Sequence, residues 1–600
     1  MNFKQIISTI AVAALCVTAA GCKGGEESSA PSESIDDSQT VQTVEAYTPD
    51  EIRPVDSYGE NSLVYRAESM DAVTFTAAMQ PGWNLGNTLD AVGGETAWGN
   101  PKTTPELINK IKSEGFNSIR IPITWEHALD SENVISEEYL ARTKEIINYA
   151  LDADLLVLVN IHHDSWQWLN AITPDENDEN YLKFRKIWEQ LAEAYKDYPR
   201  AVIFESINEP RFDKESTYAD CLDMMNKACV EIVRASGGNN AERLIVLPTK
   251  DTNGEQKYLD QLYGTITDIN DPDLIATVHY YGYWPFSVNI AGETEFKGTS
   301  VTDIDGLASR LKTTFIDNGI PVIVGEWGLL GFDTALDTVE HGEILKFFEY
   351  FCNAANENGF TTMWWDNGQH LNRYTLTWGD PSLSAVIAQS MQGRSSTGER
   401  DFINIFEGNI EDKELKLSLN GNTFEGIRTE NGELAAESYT FSEDTLTLTA
   451  DYLSTLVTDP AQYGRLETLY LEFSSGPDWT VYIYNTSTPE FEAVSGAKTA
   501  VTVPGDFKGT QLKTVEAKYI SGGNNFPGSQ NWTSYKQFGD QFSVDFMGGV
   551  KLTNNFLKEC ASGCEIQLIF YFWNDTAVEY KLNIADGKVI GEPVGEISAE

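Results

Sequence analysis

The sequence predicts an α/β fold, a (β/α)8 TIM barrel followed by two smaller β-sandwich domains. Two observations carry this expectation. From about residue 68 to residue 392, eight short apolar runs alternate with amphipathic stretches of helical spacing. Beyond Gln392 the helical spacing stops, and short β runs separated by turn residues replace it.

Met1 to Gly21 has the form of an export signal. Lys4 supplies a basic start, and Ile6 to Ala20 is an apolar run that ends in small residues. The run is too short and too rich in small residues for a membrane span. Ala19-Ala-Gly-Cys22 resembles a bacterial lipoprotein signal, in which Cys22 becomes the lipidated first residue; ordinary secretion with cleavage nearby is the alternative. Residues 23–67 carry Glu, Asp, Ser, Thr and Gly with no apolar periodicity and are expected to be a disordered acidic linker.

The barrel domain is expected over 68–395. Its strands fall at Gly82–Gly86, Ser118–Thr124, Leu155–His162, Val202–Glu209, Leu244–Pro248, Thr277–Tyr281, Val322–Glu326 and Thr362–Trp365. Helical spacing marks Thr104–Glu114, Glu137–Ala153, Tyr181–Tyr195, Tyr218–Ala235, Gly306–Asn318 and Gly342–Asn358. A doubly wound open sheet would share this alternation, but no GxGxxG follows the first strand.

Chemistry in such a barrel gathers at the carboxyl ends of the strands. The sequence places Arg120 on the second strand, His162 and His163 on the third, and Asn208 and Glu209 on the fourth. His279 and Tyr281 end the sixth, Glu326 the seventh and Trp365 the eighth. Any one alone reads as a satisfied polar core residue; together at one rim they read as a site. A carboxylate at the tip of an apolar strand is costly unless it is paired or shifted in pKa, and Glu209 and Glu326 share that design. Two carboxylates among His, Tyr, Asn and Arg suit glycoside hydrolysis: one protonated for the leaving oxygen, one ionised to attack the anomeric carbon. A separation of roughly 5–5.5 Å, the retaining geometry, is expected. Arg120 should hold Glu326 ionised, Tyr281 should donate to it, and Glu209 should be the protonated partner at a raised pKa. Asn208 should meet the sugar 2-hydroxyl, His279 should tune Glu209, and Trp365 should stack on the sugar.

His162-His163-Asp164 is the best metal candidate, but neighbours on a strand point to opposite faces, so neither metal nor cofactor is expected. Lys+Arg number 42 against 91 Asp+Glu, a net charge of −49. That balance repels nucleic acid and anionic membrane surfaces and fits an uncharged polysaccharide; equally, it keeps an exported protein soluble. Cys221, Cys229 and Cys352 read as small core residues, while Cys560 and Cys564 could close a tight loop in an oxidising compartment.

Asn208-Glu209-Pro210, the Glu326 strand, Arg120, His162, His279-x-Tyr281 and Trp365 together resemble glycoside hydrolase family 5. Gly82-Trp-Asn-Leu-Gly-Asn-Thr-Leu-Asp-Ala91, which includes Asn87, and Glu95-Thr-Ala-Trp-Gly-Asn-Pro101 resemble its subfamily 4. The likeness runs through Trp365-Asp-Asn-Gly368 and Thr375-Leu-Thr-Trp-Gly-Asp380 and so covers the whole barrel. The resemblance implies Glu209 as acid/base, Glu326 as nucleophile and the other matched residues around the −1 sugar. It implies an endo-acting enzyme on β-1,4-glucans (cellulose derivatives, mixed-linkage β-glucan, xyloglucan), with xylan or mannan accepted by some members. A surface glycan-binding protein with a dead barrel is the non-enzyme alternative; the two intact glutamates speak against it. Cleft aromatics are expected among Trp98, Trp125, Trp166, Trp168, Tyr283, Trp284 and Trp378.

Gly393-Arg-Ser-Ser-Thr-Gly-Glu399 reads as a linker. Residues 400–490 follow as an immunoglobulin-like sandwich, with a spacer role favoured over binding. Residues 495–595 resemble carbohydrate-binding module family 46 through Phe507-Lys-Gly, Ile520-Ser-Gly-Gly-Asn-Asn525, Asn531-Trp-Thr-Ser-Tyr535 and Phe570-Tyr-Phe-Trp573. In that arrangement Trp532 and Tyr535 are the sugar-stacking candidates, and Trp573 reads as core. The sequence thus describes an extracellular, cell-surface, monomeric enzyme whose only membrane contact is the Cys22 lipid.

Overall fold

The computed structural model describes residues 52–545 and 548–597; the export signal and Cys22 lie outside those residues. Eight parallel strands close into a barrel in sequence order. They are β1 (Gly82–Asn84), β2 (Ser118–Ile121), β3 (Leu156–Asn160), β4 (Val202–Glu205), β5 (Ile245–Pro248), β6 (Leu274–Tyr280), β7 (Val322–Trp327) and β8 (Thr361–Trp364). Nearly every strand residue is buried, which is why these runs are apolar along their whole length rather than alternating.

All eight expected strands form, but several stop short of the polar residues assigned to them. β4 ends at Glu205, so Asn208 and Glu209 stand in the following loop. There the backbone turns at Glu209, with φ +36, immediately before Pro210. The six expected helices form as well, for example Tyr218–Ala235 and His341–Asn358. Among the helices that were not expected, the longest are Gln256–Ile269 and Pro381–Gln389. The first carries Gly264, Thr265, Ile266 and Thr267, which lower helix propensity, but Tyr258, Leu259, Leu262 and Ile266 bury one face and decide the outcome.

Residues 55–67, expected in the linker, are instead folded. A helical turn at Val55–Tyr58 leads to a helix at Leu63–Ala67, capped by Ser62. Leu63, Val64 and Ala67 are buried, and the Val64 amide donates to Asp154 Oδ1 at 3.2 Å. Gly393–Glu399 is likewise no loose linker. Ser395, Ser396 and Thr397 are buried, and Thr397–Gly398 pairs with Lys413–Ser418. A Cβ on Gly398 would lie 2.5 Å from Trp479 Nε1, so this glycine serves close packing rather than freedom.

The first tail module packs a four-stranded on a five-stranded sheet, and its apolar residues join the barrel's core in one cluster. The second packs a five-stranded on a three-stranded sheet around a core of its own. Cys560 and Cys564 are separate buried thiols in that core, not a bridged pair. Loops after β6 and β7 hold this module to the barrel. The Phe538 amide donates to Asn289 O at 3.1 Å, Asn289 Nδ2 to Lys513 O at 3.1 Å, and Lys513 Nζ meets Glu295 at 2.6 Å.

Candidate active site

The site is built around Arg120. Its guanidinium is fully buried at the centre of the barrel rim. Nε donates to Glu205 Oε2 at 2.8 Å, one terminal nitrogen to Glu326 Oε1 at 2.7 Å, and the other to Asn208 Oδ1 at 2.7 Å. Burial alone would strip the charge; Glu205 and Glu326 outweigh it and raise the pKa above the ordinary arginine value. Sequence reasoning passed over Glu205. The available signal was a second glutamate in the same apolar run, four residues before Glu209. A buried guanidinium flanked by one carboxylate needs another partner for its remaining donors.

Glu326 is aimed inward by a bulge. Register slips between β6 and β7 and again between β7 and β8, making Gly325 the extra residue. A Cβ there would sit 3.0 Å from Thr277 Oγ1 and 3.2 Å from His279 Nε2. Tyr281 donates its hydroxyl proton to Glu326 Oε2 at 2.7 Å. Burial first, and then the Glu326 charge, push the phenol pKa well above 10, so it stays a donor. His279 Nδ1 lies 3.1 Å from Glu209 Oε1 and 3.5 Å from Glu326 Oε2. One oxygen of each glutamate and a His279 nitrogen all lie within 4.8 Å of one another.

The expected pKa of Glu209 is not what the site gives. Burial pushes the carboxyl up, but the hydrogen bond and charge of His279, with the charge of Arg211, outweigh burial and hold it down at about 2. The sequence reading weighed the apolar strand and omitted the cationic side chains around its tip.

The reason for expecting no metal also fails on geometry. His162 and His163 follow the end of β3, and their rings meet edge to face with centroids 4.4 Å apart; with Asp90 they place three donor atoms within 4.8 Å. Hydrogen bonds nevertheless assign the protons. Asn160 Nδ2 donates to His162 Nδ1 at 3.1 Å, and Trp166 Nε1 donates to His163 Nδ1 at 2.9 Å. Each Nε2 therefore carries hydrogen, facing Glu326 Oε1 at 3.9 Å and Asp90 Oδ2 at 3.6 Å. His163 Nε2 is buried against Asp90, so of the two rings it is His162 that faces the nucleophile side of the cleft. Burial, the largest cause, keeps His162 well below its usual pKa and hence neutral.

Trp365 stacks parallel to His162, centroids 6.0 Å apart, and its ring lies against Gly86, where a Cβ would be 2.9 Å away. Asn87 sits at φ +54, its amide donating to Asp90 Oδ2 at 3.0 Å. Among the described residues four aromatic rings are largely exposed: Trp98, Trp166, Tyr374 and Trp532. The first three stand on loops after β1, β3 and β8; Trp532 comes from the second tail module and lies 6.1 Å from Trp284, on the loop after β6. Tyr374 was missed, because it stands on a polar hairpin with no strand-end signal. Trp125 is fully buried, its Nε1 donating to Asn160 O at 3.0 Å, and Trp378 stacks on Trp364 at 5.5 Å; both are packing residues.

A closed parallel barrel carrying two facing carboxylates and a rim of exposed tryptophans is the architecture of a barrel glycoside hydrolase. Comparisons place it further. Residues 84–371 match "Cellulase (glycosyl hydrolase family 5)", 404–483 match "Carbohydrate binding domain X2", and 487–592 match the CBM46 carbohydrate binding domain. Endoglucanase B of Paenibacillus lautus is 41% identical over 543 residues, spanning 88% of this chain and 95% of that protein. A trimodular subfamily 4 endoglucanase superimposes with TM-score 0.84 at 43% identity, over 87% of this chain and 99% of the other. The tri-modular endo-β-1,4-glucanase B of Bacillus halodurans gives TM-score 0.84 at 41% identity, over 88% and 100%. The chain belongs to glycosyl hydrolase family 5, and the resemblance read from its motifs is borne out.

Proposed function

We propose that this protein is a retaining endo-β-1,4-glucanase acting on plant cell-wall β-glucans. In the first step Glu326 attacks the anomeric carbon while Glu209 gives its proton to the glycosidic oxygen. In the second, water hydrolyses the glycosyl-enzyme ester with Glu209 as base. The single observation that carries this is the approach of the two carboxylates within 4.8 Å. Such a close approach favours the short, retaining spacing over the wider inverting one. Arg120 and Tyr281 each donate to one Glu326 oxygen and so orient the carboxylate for attack. Asn208, its Oδ1 taken by Arg120, has its amide hydrogens left for the sugar 2-hydroxyl. Glu209 needs a proton for the first step, and a bound chain favours that by displacing water and adding hydroxyls beside His279.

The polymer assignment extends this reading. Trp284 and Trp532, with ring centroids 6.1 Å apart, are assigned to an extension of the cleft, which would favour a large, branched chain such as xyloglucan over a short one. We place the catalytic barrel at 55–395, including the folded residues 55–67, the immunoglobulin-like module at 400–490 and the carbohydrate-binding module at 495–595. Export with lipidation at Cys22 would set the enzyme on the cell surface as a monomer. Reducing-sugar release from xyloglucan, carboxymethylcellulose, xylan and mannan tests the whole reading, with Glu326→Gln as control. Release from the glucans by the wild type alone is expected. No release from any polymer, or native-rate release by the variant, would overturn it.

A further inference from the structure

We propose that Lys536 is the positioning residue of the second tail module's sugar-facing loop: its buried ammonium gathers the backbone of residues 527–533 and so fixes where Trp532 stands beside the cleft. The inference rests on the reading above that Trp532 contacts the polymer. Residues 522–535 contain neither helix nor strand; Asn531 O and Ser534 O accept from the Phe526 and Ala517 amides at 3.3 and 2.8 Å, and the carbonyls of Pro527, Gln530 and Thr533 need other partners. Lys536 is 1% exposed. Its Nζ donates to Pro527 O at 2.8 Å and to Thr533 O at 2.8 Å, and reaches Gln530 O at 3.5 Å. Three carbonyls thus match the three hydrogens of an ammonium. They bracket Trp532 in sequence.

Glu516, on the adjacent strand Leu512–Ser521, is taken by Lys518 Nζ and Ser534 Oγ, each at 2.7 Å, so the carbonyls are the ammonium's ligands. Burial lowers the Lys536 pKa to about 8, a cost that a residue merely filling space would not carry. The loop's exit is fixed independently. The Lys536 amide donates to Val515 O at 2.8 Å, and the Phe538 amide to Asn289 O of the barrel. Gln537 and Gln541 also reach the stretch, through Gln530 and Ser529, but the ammonium is the group that ties Pro527, Gln530 and Thr533 to one point, and the exposed indole sits beside the last of them.

The test uses the full chain with xyloglucan and a short chromogenic cellotrioside. Lys536→Met is expected to raise KM for xyloglucan about three- to tenfold, matching Trp532→Ala, with kcat retained and cellotrioside turnover unchanged. The double variant should be no worse than Trp532→Ala alone, and Lys536→Arg should recover part of the loss. If Trp532→Ala raises KM and Lys536→Met does not, the positioning role is overturned while the cleft extension stands. If Trp532→Ala itself has no effect, the extension falls and the inference with it. If Lys536→Met abolishes the module's own unfolding transition, Lys536 supports the whole module and the loop assignment is wrong.

Discussion

At the scale of single residues, the site is a charge arrangement in which each carboxylate has a different set of partners. Glu326 is gripped by Arg120 and Tyr281, Glu205 by Arg120 and Asn160, and Glu209 by His279. The roles follow from these partners. Removing the acid should cost less on a good leaving group than on a polymer. Glu209→Gln is expected to lose about 10²- to 10⁴-fold on xyloglucan and far less on an aryl cellobioside, read from initial rates on both. His279 lowers the Glu209 pKa, so His279→Ala should raise it. The alkaline limb of the kcat/KM profile, which reports loss of the acid's proton, should then move to higher pH. Glu205→Ala leaves the buried Arg120 half-paired and should cost about 3–5 kcal/mol, measured by denaturant unfolding.

Among the elements, β7 and the loop after β4 decide where the two carboxylates meet. The bulge at Gly325 turns Glu326 towards His279, and a methyl there would press on Thr277 Oγ1 and His279 Nε2. Gly325→Ala should therefore lower kcat about tenfold or more through displaced Glu326 and His279, with circular dichroism and thermal midpoint little changed. This element scale also marks what the sequence made legible. Eight apolar runs and six amphipathic ones were readable because burial imposes their patterns. Polar residues at the run ends located Glu209, Glu326, Arg120 and His279. The bulge, the turn at Glu209 and the partners of each charge were not readable, because they depend on contacts between strands distant in sequence. The Glu209 pKa was misjudged for that reason, and Glu205 was passed over. Gly393–Glu399 looked like a linker because Gly and Ser suit tight packing as well as looseness.

For the whole molecule, the junction between barrel and first tail module is pinned by His341. Its Nε2 lies 3.0 Å from Asp380 Oδ2 and its Nδ1 3.2 Å from Asp401 Oδ2. Burial would lower its pKa; the two aspartates outweigh this and raise it to about 10. A raised folded-state pKa contributes stability that is complete below the unfolded value and disappears as pH climbs through the folded one. His341→Ala should therefore melt below the wild type at pH 6, with the gap closing towards pH 10, by calorimetry. The second module meets the barrel through the loops after β6 and β7, so deleting it removes Trp532 from beside Trp284. The central claim, that Glu326 is the nucleophile of a retaining double displacement, is tested most directly by trapping the intermediate. Incubation with an activated 2-deoxy-2-fluoro-β-cellobioside, followed by peptide mass spectrometry, should find one cellobiosyl adduct on Glu326. An adduct on Glu209 or Glu205, or none from an enzyme that turns over the parent cellobioside, would contradict it.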